Sequence, residues 1–132
     1  MKVDHVGIAV RSVDASLNVY RSIGLAATSL ETVPGEGVKV AFIPVGDSHF
    51  ELLESLAVDG VIARFIEKRG EGLHHLALAV EDVVAEMDRA RSAGLAVLDE
   101  TPRTGARGRK VAFVHPKSLG GVLLEFVENP RP

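Results

Sequence analysis

The chain has 132 residues, 46% hydrophobic and 25% charged, which is an ordinary globular composition for one domain with a real core. A net charge of -3 gives no general attraction to nucleic acid or to a membrane surface, and no apolar run reaches the roughly 20 residues of a membrane span. Cysteine and tryptophan are both absent, which excludes disulfides, thiolate nucleophiles, zinc–thiolate sites and an indole stacking platform for single strands. The sequence enters a strand-like stretch at once: residues 3–10 alternate, with Val6, Ile8 and Val10 on one face and His5, Gly7 and Ala9 on the other. No signal peptide is expected from that beginning, and a cytoplasmic location is the default expectation. A helix follows over 13–23, with Val13, Leu17, Tyr20 and Ile23 at helical spacing, Ser12 as its cap and Gly24 as its left-handed end. Strand-like stretches come next at 26–33, 38–44 and 48–54. An amphipathic helix is expected over 59–69, with Ile62, Phe65 and Ile66 as its apolar side, and Gly70-Glu71-Gly72 ends it. A second alternating stretch, His74 to Val80, leads to a helix capped by Asp82, striped by Val83, Met87 and Ala90, and ended by Gly94. Strand-like stretches at 96–101, 110–115 and 121–128 complete the chain.

The second half repeats the first. Asp4-His5-Val6-Gly7-Ile8-Ala9-Val10 matches His74-His75-Leu76-Ala77-Leu78-Ala79-Val80, so that His5 and His75 are 70 residues apart. Gly24-Leu25 and Gly94-Leu95 are 70 apart as well. Gly37 to Phe42 matches Gly108 to Phe113 at an offset of 71, and Phe50-Glu51-Leu52 matches Leu124-Glu125-Phe126 at 74. The order is kept and the offset grows by a few loop residues, which points to two copies of one supersecondary unit rather than to a short-repeat solenoid. The fold class expected is α+β: two βαβββ modules forming a curled antiparallel sheet around a metal-containing cavity. Module one spans about 1–56, the linking helix about 57–72 and module two about 73–132, all within a single domain, 1–132.

The repeat places a histidine on the first strand and a glutamate on the last strand of each copy: His5 and Glu51, His75 and Glu125. A glutamate between two apolar neighbours in a strand points to the opposite face from them. On an enclosed face an ionised carboxylate is costly unless paired or metal-bound. Two imidazoles and two carboxylates suit a divalent metal and leave room for substrate, so these four are the expected ligands. The remaining histidines lack this duplication. His74 should face away from the cavity and His49 matches no histidine in the other copy, so both are assigned structural or exposed roles; His115 is likewise outside the set.

Paired βαβββ modules with one His and one Glu each resemble the vicinal oxygen chelate (glyoxalase/bleomycin resistance) superfamily. Within it, Gly70-Glu71-Gly72-Leu73-His74-His75 and His115-Pro116-Lys117-Ser118 with Gly121-Val122-Leu123-Leu124-Glu125 are similar to the methylmalonyl-CoA epimerase family, and the likeness runs over essentially the whole chain. The resemblance implies an isomerase that interconverts the C2 epimers of methylmalonyl-CoA by metal-assisted proton abstraction and reprotonation on the opposite face. It implies a divalent ion, with cobalt favoured and Mn, Ni, Zn or Fe as alternatives, an acyl-CoA partner and a homodimer, without nucleic acid or membrane. Glu125 is the implied proton-transfer group beside its ligand role, and the second such group stays open among Glu51, Glu36 and a metal-bound water. Some bacterial epimerases carry a further glutamate where this chain has Val40, and Glu36 is the nearest carboxylate to that place. Among the basic residues of the second half, Arg103, Arg107 and Lys117 are the candidates for coenzyme A phosphate, with Arg109 and Lys110 in the same cluster. The alternatives are a glyoxalase I-type activity, which uses the same kind of ligand set, and a non-catalytic ligand-sequestering protein of this fold. Ethylmalonyl-CoA is a second conceivable substrate, since one methylene is a weak basis for discrimination.

Overall fold

The alternation at the N-terminus forms β1 (Lys2–Ala9), and the helical stripe that follows forms α1 (Val13–Arg21) in a computed structural model that describes residues 1–129. The last three residues of the span assigned to module two lie outside the described part. Strands β2 (Ser29–Val33), β3 (Val38–Val45) and β4 (Ser48–Ser55) complete module one, and α2 (Val61–Arg69) follows. Module two runs through β5 (Gly72–Val80), α3 (Val83–Ser92), β6 (Arg103–Thr104), β7 (Lys110–Val114) and β8 (Leu124–Glu128). No helix among the described residues is long and apolar enough to cross a membrane. The chain divides into two compact units, His5–His74 and a second made of Met1–Asp4 with the chain from His75 onward. The linking helix therefore belongs with the first unit, and the opening four residues with the second.

In the first module the strand order is β2-β3-β4-β1. Its hairpins are antiparallel, while β1 and β4 run parallel, with Gly7 opposite Glu51 and His5 opposite His49. The second module repeats this as β6-β7-β8-β5, again with one parallel pair, in which Ala77 lies opposite Glu125. The parallel pair follows from the helix between first and second strands, which carries the chain across the sheet so that the first strand ends up beside the last.

Each helix covers one face of its own sheet. Ile8 and Val10 of β1, Val13 and Leu17 of α1, and Ala41, Ile43 and Leu52 form one buried cluster, with Val6 and Tyr20 packed against it. The counterpart gathers Val80, Val83, Met87, Ala90, Ala112, Val114 and Phe126. Ile23, expected in the α1 stripe, lies beyond the helix end and is exposed, because Arg21 is the last helical residue. In α2 the buried side is Ile62 and Ile66, and Phe65 packs its ring edge on His74 at 4.9 Å.

Both helix starts are anchored twice. Ser12 Oγ accepts from Ala15 N, and Asp82 Oδ1 accepts from Ala85 N, both at 3.1 Å. The last strand of each module adds a carboxylate: Glu54 accepts from Val13 N at 2.7 Å, and Glu128 accepts from Val83 N at 3.1 Å. An anion here also meets the positive end of the helix dipole. Gly24 and Gly94 then end the two helical segments at φ of 88° and 84°, where a side chain would be strained.

The stretch at 96–101 does not form a continuous strand. Leu98 N donates to the Phe113 carbonyl and His115 N donates to the Ala96 carbonyl, but only an isolated bridge, Val97 to Val114, results. The Asp99 carboxylate takes the Phe113 N–H that a ladder carbonyl would have accepted, and Pro102 has no N–H to give. The last strand likewise begins at Leu124 rather than 121, after Gly120 and Gly121 turn the chain at positive φ.

Glu54→Ala and Glu128→Ala are each expected to cost about 1–2 kcal/mol through the lost helix anchor. Urea unfolding of the two variants measures this, and a change within about 0.3 kcal/mol for both would show the anchors to be idle.

Candidate functional site

The face of each sheet that its helix does not cover carries the polar residues. Glu51 sits between Phe50 and Leu52, and Leu52 is buried on the α1 side, so the carboxylate turns to the other face. There it is 5% exposed, beside His5 at 3%. His5 Nδ1 lies 3.2 Å from Glu51 Oε2. The diagonal contact follows from the register: Gly7, the direct partner of Glu51, has no side chain to separate them, and His5 is the next residue of β1 on that face.

His49 joins this pair, contrary to the structural or exposed role assigned to it from sequence. Its Nε2 stands 2.8 Å from Glu51 Oε2, and its ring stacks on His5 with centroids 5.1 Å apart. The physical reason is plain strand alternation: residues 49 and 51 are two apart and share a face. That alternation is visible in the sequence, although the other copy has no histidine at the matching position. His74 fits its assignment, turned toward Phe65. His115 accepts from Lys117 N through Nδ1, a local cap at the turn after β7.

The second unit builds the equivalent pair. His75 Nε2 lies 3.1 Å from Glu125 Oε1, with both side chains under 10% exposed. Phe113, directly across from Glu125 on β7, meets the His75 ring edge-on at 5.7 Å. Phe42 holds the same register position against Glu51 in the first module. Around Glu125 the face is otherwise apolar: Ala77, Val111, Phe113 and Val127 cluster there, with Leu123 against them.

The structure thus brings His5 together with Glu51, and His75 together with Glu125. Val40 is fully buried on the Glu51 face, since Ala41 and Ile43 on either side of Phe42 turn to α1. Glu36 lies in the short 3-10 turn Pro34–Glu36, before β3 begins at Val38. Its main chain is more than four strand residues from Phe42, the Glu51 partner, or upwards of about 13 Å at 3.3 Å per residue.

Among the basic candidates, Arg103 is fixed. Its Nε pairs with Asp99 Oδ1 at 2.7 Å, and its guanidinium covers the Phe113 ring at 5.1 Å. That places a cation one ring away from His75. Arg109 makes a two-pronged pair with Asp4, 3.0 and 2.6 Å, on the residue before His5. Arg107, at φ 58°, is the one non-glycine residue with positive φ among the described residues, and both it and Lys117 are exposed on turns.

A metal is implied by this arrangement, and the residues fit one. Two buried carboxylates are each held against a buried imidazole, a mixture of nitrogen and oxygen donors that suits first-row divalent ions. Within the first unit one donor atom each from His5, His49 and Glu51 falls within 4.8 Å of the others.

Two copies of βαβββ, each presenting an imidazole and a carboxylate on the face its helix leaves open, define a class of protein. The sequence profile of the Glyoxalase/Bleomycin resistance protein/Dioxygenase superfamily matches residues 4–113, and the chain belongs to that superfamily. The chain is 39% identical to the ethylmalonyl-CoA/methylmalonyl-CoA epimerase of Cereibacter sphaeroides, over 95% of this chain and 96% of that protein. It matches the crystal structure of methylmalonyl-CoA epimerase from Mycobacterium tuberculosis with a TM-score of 0.92 and 37% identity, over 99% of this chain and 89% of the other. A variant of the Streptomyces coelicolor methylmalonyl-CoA epimerase in complex with 2-nitronate-propionyl-CoA matches at a TM-score of 0.92 and 34% identity, over 99% of each chain. The protein is an enzyme of the isomerase class, an epimerase.

Arg109→Met is expected to destabilise the fold by about 1–3 kcal/mol, less than a fully buried pair would cost because the guanidinium is partly exposed. Combining it with Asp4→Asn should return part of that loss, which a double-mutant cycle by denaturant unfolding reads directly.

Proposed function

We propose that the chain interconverts (2R)- and (2S)-methylmalonyl-CoA, with a divalent metal, cobalt by preference, held by His5, Glu51, His75 and Glu125. The duplicated His–Glu pair, set at the same register in both modules, is the observation that carries this reading. It gains its substrate from the epimerases to which the chain is similar. The C2 proton of such a substrate lies between a thioester carbonyl and a carboxylate. A divalent ion held by these four residues would supply Lewis acidity toward an oxygen on which charge develops when that proton leaves.

The chain's own residues then have distinct tasks. Glu125, on an otherwise apolar face beside His75, is the group proposed to take or return the C2 proton. Inversion needs delivery from the other side, and Glu51 is the carboxylate proposed there. Val40 offers no proton, and Glu36 on its turn is the less favoured alternative. Each pair has its own apolar surroundings, Phe42 and Val40 on the Glu51 face of one unit and Phe113 and Val111 on the Glu125 face of the other, and such surroundings favour a dry reaction site. Arg103, held over Phe113, is proposed to meet an anionic part of the thioester substrate, with Arg107 and Lys117 on exposed turns for the coenzyme A phosphates. The protein is proposed to act in the cytoplasm as a homodimer.

Stripping with chelator and restoring one divalent ion at a time should switch on exchange of the C2 proton in deuterated water, followed by NMR with methylmalonyl-CoA and ethylmalonyl-CoA in parallel. Glu125→Gln is expected to lower that exchange by about 10²–10⁴-fold. Absence of exchange with every metal would leave the fold standing and remove this substrate.

A further inference from the structure

The two half-sites differ at one position. His49 of β4 corresponds through the repeat to Leu123, which packs with the apolar cluster of Ala77, Val111, Phe113 and Val127. The carboxylate of the first module therefore receives an imidazole from a position that supplies only a methyl-branched side chain in the second. His49 also makes the shorter contact, 2.8 Å against 3.2 Å for His5, and both reach the same oxygen of Glu51. A carboxylate only accepts hydrogen bonds, so His49 Nε2–H is the donor. The ring itself is held from both sides, stacked on His5 and tilted on Phe42 at 5.7 Å. It is the direct β-ladder partner of His5, so its place is set by the backbone register rather than by a flexible stem.

We propose that His49 is a positioning residue that fixes the Glu51 carboxylate for metal binding. This rests on the metal-dependent reading above. Glu51 has rotatable bonds on which an unsupported carboxylate would swing between several orientations. One oxygen anchored to His49 removes that freedom before any ion arrives, so the ordering cost of the ligand is already met in the folded protein. Supporting hydrogen bonds of this kind change metal affinity by about 10–100-fold when lost. The asymmetry then has a use: Glu51 becomes the anchored ligand, whereas the module-two carboxylate has no imidazole from the matching position.

The test is calorimetric titration of Co²⁺ into the metal-free parent, His49→Ala and His49→Gln, with the melting temperature of each metal-free protein recorded alongside. His49→Ala is expected to bind Co²⁺ about 10–100-fold more weakly. His49→Gln, whose amide N–H can still donate, should recover most of the loss. A merely structural role would lower both melting temperatures while leaving the affinity of the folded protein alone. Parent-like affinity in His49→Ala, equal losses in the two variants, or no metal binding by the parent would each overturn the proposal. Metal binding that depends on His49 in a protein that fails to epimerise either thioester would instead overturn the proposed substrate and leave the role of His49 intact.

Discussion

The structure turns on burying a carboxylate in the middle of a β-strand. Glu51 is 5% and Glu125 6% exposed, in segments whose neighbours are Phe and Leu. A buried anion of this kind is tolerated only with close polar compensation. Here the compensation comes from imidazoles: His5 and His75 on the neighbouring strands, and for Glu51 also His49 on its own strand. Much else follows from that demand. The first and last strands of each module must be adjacent, which needs the crossover helix. The residue directly opposite must be small, and it is Gly7 in one module and Ala77 in the other. The opposite face must be sealed by a helix, so that the polar groups have one side to occupy.

The same strand also serves its helix. Glu51 and Glu54 are three residues apart, as are Glu125 and Glu128, and an odd spacing sends the members of each pair to opposite faces. One carboxylate faces the imidazoles and the other binds the first N–H of the helix. A single strand thereby ties the polar face to the helical layer within its own module. Asp99 plays a comparable double part in the second unit, accepting from Phe113 N and holding Arg103 over the ring of that same residue.

Most of the fold was legible because the repeat supplied an internal check. Val13, Leu17, Val83 and Met87 are buried as their spacing implied, Ser12 and Asp82 cap the helices as their chemistry implied, and Gly94 directly follows the cap of its helix while Gly24 turns the chain two residues past the Ser22 cap. The same check concealed what is not duplicated. His49 has only Leu123 as its counterpart, so its alternation with Glu51 went unused. Side chains that substitute for backbone partners were also hidden: nothing local in Asp99 announces that it will interrupt a strand pairing with residues 14 positions away. Glu54 and Glu128 were readable in principle, as a second duplicated acid, but read alone they resemble ordinary strand-end charges. Pairing between a candidate cation and its anion, as in Arg109 with Asp4 across 105 residues, needs the folded register.

The opposed acids on β4 and β8 also restrict how such a protein can change. A slip of one residue in either strand would carry Phe or Leu to the imidazoles and thrust a carboxylate into the aliphatic layer under the helix, while stripping the helix of its anchor. Both errors arise together, so no half-slipped arrangement is tolerable. Length variation must then collect in the turns, and it does: the offset between copies stays at 70 through the first strand and helix and widens to 74 by the last strand. The hairpins are where this architecture can gain or lose residues, and the central strands are the fixed rulers against which its chemistry is measured out.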